Sequence, residues 1–190
     1  MSSHDHTRRF RRRAIAAGTS AALVAAAVVT ALATASAGAA VAHRPAAAHA
    51  AVSGCATAAL KVQFVNKGNG AAGTIYYPIK FTNKSSTACT LRGYPGVSAV
   101  TSTGKQIGNP AVRAGGKVKT VTIKPNKSAS AMVGIVHTAF FPKAKCKPVK
   151  AAGLRVFPPN QTKAVIVKHK FSTCSSTSKK ETSLKVIAVS

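Results

Sequence analysis

Apolar and polar side chains alternate along most of the chain beyond residue 55, in short segments rather than long runs. Leu60, Val62 and Phe64, for example, alternate with Lys61 and Gln63. An alternation of period two with one polar face is typical of strands half-buried in an antiparallel sheet. The pattern predicts strands in the segments 60–64, 74–81, 97–99, 120–123, 128–135, 165–170 and 184–188.

Clusters of Gly, Pro, Asn and Ser separate these segments, most of them at intervals of roughly 10–17 residues, which is typical of all-β domains. They lie at 66–70, 83–86, 94–96, 108–110, 115–116, 125–126 and 158–160. Strands and turns together predict an all-β fold, an antiparallel β-sandwich of about 7–9 strands. Pro78 cannot donate a ladder hydrogen bond, so it predicts an edge strand or a bulge in its segment.

The first fifty residues follow a different pattern. Five Arg lie between residues 8 and 13, and residues 14–42 then carry no charge and are mostly Ala and Val. Pairs of small residues at 35–37, 40–42 and 48–50 complete the order expected of a secretory signal peptide. We therefore expect a signal peptide over residues 1–37, with cleavage as late as residue 50, an Ala-rich linker over 38–54, and a folded domain over 55–190.

Two alternatives would keep the chain at a membrane. The uncharged run is long enough to span a bilayer as an uncleaved anchor, although its Ala, Thr, Ser and Gly content makes it weakly apolar. Residues 52–55 also fit a lipobox, in which Cys55 would carry lipid, but they lie well beyond the apolar run. The pattern favours a secreted protein, extracellular or associated with the cell envelope.

The charge balance excludes several kinds of chemistry. The chain has 28 Lys+Arg and 2 Asp+Glu, for a formal net charge of +26. Beyond residue 50 there are 19 Lys, 3 Arg and a single acid, Glu181, which gives +21. Paired catalytic carboxylates, Asp-oriented triads and carboxylate sites for Ca²⁺ or Mg²⁺ cannot be built from so few acids.

Lysine dominates the positive charge, and it occurs in runs. Lys is a flexible point charge, whereas Arg gives bidentate recognition of phosphate or carboxylate, so the composition favours diffuse attraction to a polyanion. A solvated surface is the simpler interpretation of any single run. The run that we select as a candidate polyanion-binding site surrounds Cys146 and comprises Lys143, Lys145, Lys147 and Lys150. Further runs are Lys117, Lys119, Lys124 and Lys127, and Lys163, Lys168 and Lys170.

Other signals of catalysis are weak. His137 and His169 are the two His beyond residue 50, and neither has an Asp to orient its ring. The G-x-S-x-G motif of a nucleophilic serine is absent from the sequence. We interpret both His as strand-end or surface residues and most Phe as core residues. We expect no enzyme activity, no cofactor and no metal.

The four cysteines predict disulfides. Cys55, Cys89, Cys146 and Cys174 are even in number and contain no Cys-x-x-Cys pair of the kind found in metal fingers. Of the three possible connectivities, chain order favours Cys55–Cys89 and Cys146–Cys174, because each pair joins neighbouring segments that a hairpin would bring together. Sequence alone leaves open the rival, Cys55–Cys174 with Cys89–Cys146.

An ordered series of motifs resembles a known family. The series comprises 81–83, the Cys-Thr-Leu-Arg-Gly-Tyr-Pro-Gly-Val stretch at 89–97, and the segments 121–129, 146–148 and 154–159. It resembles the actinobacterial secreted family catalogued as domain of unknown function 4232, over nearly all of residues 55–190. The resemblance implies an exported, immunoglobulin-like sandwich and no catalytic residues. The chain departs from the family in its turn Pro125-Asn126, where Pro-Gly is usual, and in its high charge.

These observations favour an exported, non-enzymatic module that associates with anionic cell-envelope polymers or polysaccharide through many Lys contacts. One alternative is a structural or protein-interaction module whose charge serves solubility. A second is non-specific binding of extracellular nucleic acid, which needs the same electrostatics. An apolar protein interface should survive salt that removes Lys–phosphate contacts, and competition between DNA and wall polymer separates the two polyanion hypotheses.

Overall fold

The structure, a computed structural model, describes residues 51–190. The expected signal peptide (1–37) and residues 38–50 of the expected linker lie outside the described residues. At the end of that linker, the carbonyl of Ser53 accepts a hydrogen bond from the amide of Thr90 (2.8 Å), and Gly54 forms an isolated bridge with Thr90. The β-structure therefore already includes these two residues.

Twelve strands contain about half of the described residues. Eight have four or more residues, in line with the predicted number. Of the other four, the strand at Leu184–Val186 was predicted from its alternation, and the remaining three are too short to produce an alternating pattern. The strands are β1 (Leu60–Phe64), β2 (Asn69–Ala71), β3 (Thr74–Asn83), β4 (Cys89–Arg92), β5 (Gly96–Val100), β6 (Gln106–Ile107), β7 (Val112–Arg113), β8 (Thr120–Ile123), β9 (Ser128–Val136), β10 (Pro148–Phe157), β11 (Val165–Cys174) and β12 (Leu184–Val186).

Helical structure in the described residues is limited to single turns. A short helix, α1 (Lys143–Cys146), lies between β9 and β10. Turns of 3-10 helix occur at Thr57–Ala59, Thr138–Phe140 and Lys179–Glu181. Within residues 51–190, no helix is long and apolar enough to cross a membrane.

The strands form two main sheets and a two-stranded ribbon. The first sheet has the order β1-β3-β9-β12-β7, with β2 also pairing with β3. The second has the order β11-β10-β5-β6, and β4 pairs with β8 in the ribbon. All pairings are antiparallel except that of β12 with β7. The predicted all-β, antiparallel sandwich is thus confirmed.

The hydrophobic core contains the inward faces of both main sheets. Phe81 and Ile79 of β3 and Val133 of β9 are completely buried in the same cluster as Leu154 and Val156 of β10. The alternation read from the sequence explains this, since every second side chain of a strand points to the same face. Burying these side chains is the main stabilising contribution to such a fold.

Pro78 was predicted to mark an edge strand or a bulge, and that prediction is wrong, because β3 lies between β1 and β9. The pairing with β1 ends at Ile79 and the pairing with β2 begins at Tyr76. Pro78 therefore lies where one neighbour of β3 ends and the next begins. The Val65 amide still donates to the Pro78 carbonyl (2.9 Å), but Pro78 has no N–H to return the bond, and the ladder with β1 ends there.

Two disulfides close the fold, and they are the pairs favoured by the sequence. Cys55 is bonded to Cys89, with 4.9 Å between their Cα atoms, and Cys146 to Cys174, with 4.6 Å. The first joins the segment before β1 to the start of β4, and the second joins α1 to the end of β11. Two buried disulfides are typical of proteins from oxidising compartments.

Candidate anion-binding groove

The edge strand β11 carries an irregularity in its pairing with β10. Ala151 pairs with Phe171, but the next recorded pair is Gly153 with Lys168. Two residues of β11, His169 and Lys170, therefore lie opposite Ala152 alone. Such a β-bulge bends the strand and re-aims its side chains, and bulges are frequent at sheet edges and functional sites.

Gly153 allows the two strands to approach closely at this bulge. A Cβ atom at position 153 would lie 2.5 Å from the carbonyl oxygen of Val167 and 3.4 Å from the Cα of Lys168. Both neighbours are backbone atoms, which cannot rotate away. Any other residue would push β10 and β11 apart, so glycine is required for the bulge in its present form.

Three adjoining cavities have Lys170 of the bulge in common. The largest, about 600 Å³, is lined by Thr101, Ser102, Lys150 and Lys170, with Phe171 as an apolar wall. The second, about 540 Å³, extends past Ala152 to Lys168 and His169. The third, about 260 Å³, lies beyond His169 and is bordered by Tyr77. We call the first two cavities the bulge groove, and Lys150, Lys168 and Lys170 its lysines.

The turn between β5 and β6 forms one wall of the bulge groove. The Thr101 amide donates to the carbonyl of Lys105 (2.9 Å), and the Lys105 amide donates to Oγ1 of Thr101 (3.1 Å). Arg155 of β10 donates from Nη2 to the carbonyl of Gly104, which ties the turn to the sheet. The hydroxyl-bearing residues Thr101 and Ser102 are therefore held at the groove by a fixed backbone.

The groove is positively charged throughout. Lys150 is paired across the strands with Ser172, and its Nζ donates to Oγ of Ser172 at 3.1 Å. Lys168 and Lys170 are exposed, and neither cavity of the groove is lined by a carboxylate. The one acid among the described residues, Glu181, is buried in the 3-10 turn 179–181. The three ammonium groups are therefore available to an external anion.

An aromatic cluster supports the groove from beneath. The His169 ring stacks on Phe64 with 4.1 Å between centroids and lies 5.7 Å from the parallel ring of Phe171. Tyr77 lies 5.1 Å from His169 and 4.9 Å from Phe64. The cluster thus joins β1 and β3 of the first sheet to the edge strand of the second, and it fixes the bulge in position.

Burial in this cluster lowers the pKa of His169 below its ordinary value of 6.5, because desolvation disfavours the imidazolium. At neutral pH the ring is therefore uncharged, and the lysines alone provide the positive charge of the groove. Among residues 51–190, no group of three His, Cys, Asp or Glu side chains is arranged to hold a metal ion.

The structure divides the lysine set that the sequence analysis selected. Lys150 lines the bulge groove, whereas Lys143, Lys145 and Lys147 lie on α1 and at its C-terminal cap. The division follows from the backbone, since Lys147 has left-handed dihedrals (φ 49°) that turn the chain from the helix into β10.

The groove also includes residues that the sequence analysis did not select. Lys168 and Lys170 were noted as a run, and their spacing of two on a predicted strand was the available signal that they share a face. Thr101, Ser102 and Gly153 gave no signal, because their role depends on β10 meeting the β5–β6 turn.

The prediction about the two histidines is wrong in part. His137 follows β9 and is exposed, as a strand-end residue should be. His169 instead lies in the middle of β11 and is half-buried, because Phe64 of a different sheet covers it. Most Phe were expected in the core, and Phe140 is an exception, because two thirds of its side chain are exposed.

Comparison with known proteins assigns most of the chain to one family model. The family described as Domain of unknown function (DUF4232) matches residues 55–190, the whole predicted domain. The family resemblance seen in the sequence motifs is thereby confirmed. No curated protein matches the chain significantly.

Proposed function

The chain belongs to the DUF4232 family, and we propose that this member is an exported, non-enzymatic module that binds anionic polymers of the cell envelope. The observation that supports this most is the convergence of Lys150, Lys168 and Lys170 on one groove without a carboxylate. The binding site of the proposal is the bulge groove.

The chemistry of the groove favours a repeating anion over a small charged metabolite. Its cations are lysines, which offer point charges without the bidentate geometry of arginine. A polymer with a phosphate or carboxylate in each unit can be held by several such charges at once. Each contact releases a counterion into solution, and that release drives association at moderate salt.

The dimensions of the groove accommodate such a unit. Ser172, the cross-strand partner of Lys150, lies two residues from Lys170 along β11. Lys150 and Lys170 line the same cavity of about 600 Å³, so their flexible side chains can both contact one phosphate. The hydroxyl of Ser102 offers hydrogen bonds to a polyol or sugar, and Phe171 offers an apolar surface.

Export is part of the proposal. The two disulfides are typical of an oxidising compartment, and the basic, then apolar, then small-residue order of the first fifty residues is that of a signal peptide. The mature N-terminus should lie between residues 38 and 55. Mass spectrometry of the exported protein checks this, and a chain that begins at Met1 in the membrane fraction would contradict it.

The affinity for a phosphate-linked wall polymer tests the groove directly. The variant Lys150→Gln/Lys168→Gln/Lys170→Gln should bind more weakly, and its slope of log affinity against log salt should fall by about two to three. A matched control is Lys84→Gln/Lys124→Gln/Lys127→Gln, which removes equal charge. These three exposed lysines lie together. The amide of Asn83, the residue before Lys84, donates to the Lys127 carbonyl, and the Lys127 amide donates to the Lys124 carbonyl.

The two variants separate the proposal from its alternatives. An equal loss of affinity in both variants would mean that the positive charge attracts the polymer without a defined binding site. Affinity that does not depend on salt would remove the electrostatic account and favour a protein-interaction module. Equal competition by DNA and wall polymer at the groove would favour non-specific nucleic-acid binding.

A further inference from the structure

Phe140 is the most exposed large apolar side chain among the described residues, with 67% of its surface accessible. It ends the 3-10 turn Thr138–Phe140, and one part of its ring lies over Gly73. A Cβ at Gly73 would come within 2.7 Å of three ring atoms, so the absence of a side chain there makes room for the ring. The phenyl group is therefore held in place while much of it faces solvent.

Ile75 extends the same apolar surface. It is 43% exposed and shares with Phe140, Gly70 and Gly73 a shallow cavity of about 310 Å³ at the β2–β3 turn. This turn and the 3-10 turn are joined by a hydrogen bond from the His137 amide to the Gly73 carbonyl, 2.8 Å long. Two exposed apolar side chains thus lie on two turns that are fixed to each other.

Three lysines follow Phe140 directly along the chain. Lys143 and Lys145 lie on α1, Lys147 caps it, and all three are exposed. The helix packs against the 3-10 turn, and the Cys146–Cys174 disulfide attaches it to the end of β11. We call Ile75, Phe140, Lys143, Lys145 and Lys147 the basic tip. The bulge groove uses none of these residues.

We propose that the basic tip docks on the surface of a lipid bilayer that carries anionic headgroups. Exposed aromatic side chains flanked by lysines bind at the membrane interface, where the ring enters the headgroup region and the ammonium groups contact anionic lipid. Charge complementarity is strong, because the one acid of the described residues, Glu181, is buried elsewhere. An anionic polymer in water would give Phe140 no apolar environment.

The size of the basic tip also disfavours a protein partner. Specific protein interfaces cover about 800 Å² on each side around a desolvated apolar centre. Here two apolar side chains lie near a short helix that carries three strongly hydrated charges. That arrangement suits a soft surface, in which the lysines stay at headgroup level while the ring enters more deeply.

The chain contains no Trp, which makes a fluorescence test unusually clear. The protein is purified from its host in its processed form, and Phe140→Trp introduces a single reporter. Vesicles of phosphatidylcholine with phosphatidylglycerol should shift its emission to the blue and protect it from an aqueous quencher. Vesicles of phosphatidylcholine alone should do neither. The matched control is Val112→Trp, at another exposed apolar position but with no adjacent lysine in the sequence, and its emission should not change.

Sedimentation with the same anionic vesicles tests the lysines in the otherwise unchanged chain. Lys143→Gln/Lys145→Gln/Lys147→Gln should lower the partition coefficient about a hundredfold, at roughly fivefold per lysine. Phe140→Ala should also lower it, and Lys84→Gln/Lys124→Gln/Lys127→Gln should lower it less than the tip variant. Far-UV circular dichroism and thermal unfolding verify that each variant is folded.

Several results would overturn the basic tip as a membrane contact. One is a tip variant that binds vesicles as strongly as the charge-matched control. Another is a reporter at position 140 that stays in water while the protein sediments with vesicles. A third is loss of wall-polymer binding in the tip variant without any loss of vesicle binding, which would assign these lysines to the polymer. Since the bulge groove is unaltered in all these variants, failure here leaves the proposed function intact.

Discussion

His169 is the residue on which the architecture of the groove depends. Its ring lies between Phe64 and Phe171, and its neighbour Lys170 lines all three cavities. A neutral imidazole can stack with aromatic rings and still offer a polar edge to a ligand. Desolvation keeps it neutral by lowering its pKa.

This residue gives the protein a predictable sensitivity to acid. Because the pKa of His169 is lower in the folded state than in the unfolded chain, the unfolded chain binds the proton first as the pH falls. The contribution of His169 to the free energy of unfolding should therefore be complete above pH 6.5, the ordinary pKa of histidine. It should decline as the pH drops through the lowered pKa. NMR titration of the His169 imidazole measures that pKa directly.

His169→Phe is the control for this prediction, since it keeps an aromatic ring and removes the titration. The free energy of unfolding of this variant, measured in urea, should decrease less on acidification than that of the original protein. A midpoint for His169 at or above its ordinary value would show that the ring is not desolvated, and the account of the cluster would be wrong.

The roles of single residues such as His169 and Gly153 could not be predicted from the sequence. His169 occupies an alternating strand position, and nothing in the sequence indicates that Phe64, from a different sheet, covers it. Gly153 likewise has an ordinary strand context, and its necessity follows from the approach of the Val167 carbonyl. The positive charge of the surface could be predicted from the sequence, because one acid cannot neutralise many lysines.

At the scale of elements, the β10–β11 hairpin determines where the lysines lie. Its bulge places His169 and Lys170 opposite Ala152, and the Cys146–Cys174 disulfide closes the end of the hairpin. The pairing of these cysteines was favoured, over a rival that the sequence left open, by their positions at the ends of neighbouring segments. The bulge could not be predicted, since a register shift depends on which residues of two strands meet.

Gly153→Ala should destabilise the protein by widening this hairpin. The new Cβ would lie 2.5 Å from the Val167 carbonyl oxygen, and relief of such an overlap by backbone movement costs about 1–3 kcal/mol. Urea unfolding measures the loss. The control is Gly54→Ala, because a Cβ there meets its nearest atom only at 4.0 Å. Equal free energies of unfolding for the two variants would contradict this prediction, because they would show that the hairpin accommodates the new Cβ without loss of stability.

Clear alternation, rather than length alone, determined which strands could be predicted: Leu184–Val186 has three residues and was predicted, whereas Pro148–Phe157 has ten and was not among the alternating segments. Segments such as Ser128–Val136 alternate over enough residues to establish a period of two. The two-residue strands β6 and β7 and the parallel pairing of β7 with β12 depend on neighbours that are distant in sequence. The position of Pro78 in an interior strand shows the same limit, because the gap beside it is created by two other strands.

At the scale of the whole molecule, the described part of the chain is a uniformly positive body. It contains 22 basic residues and one acid, and eighteen of its nineteen lysines are exposed. Such a surface attracts polyanions from every direction and keeps the protein molecules apart in solution. Specific binding therefore depends on where several charges combine with a cavity and with hydrogen-bond donors, and the bulge groove combines all three.

The most direct test of this account is an NMR map of the backbone amides during titration with a short, phosphate-linked wall oligomer. We expect the largest shifts at residues 101–102, 150–153 and 168–172, and we expect added salt to reverse them. Lysines outside the groove should show smaller shifts that do not saturate. Shifts spread evenly over the lysine surface, or largest at residues 143–147, would contradict the assignment of the groove as the anion-binding site.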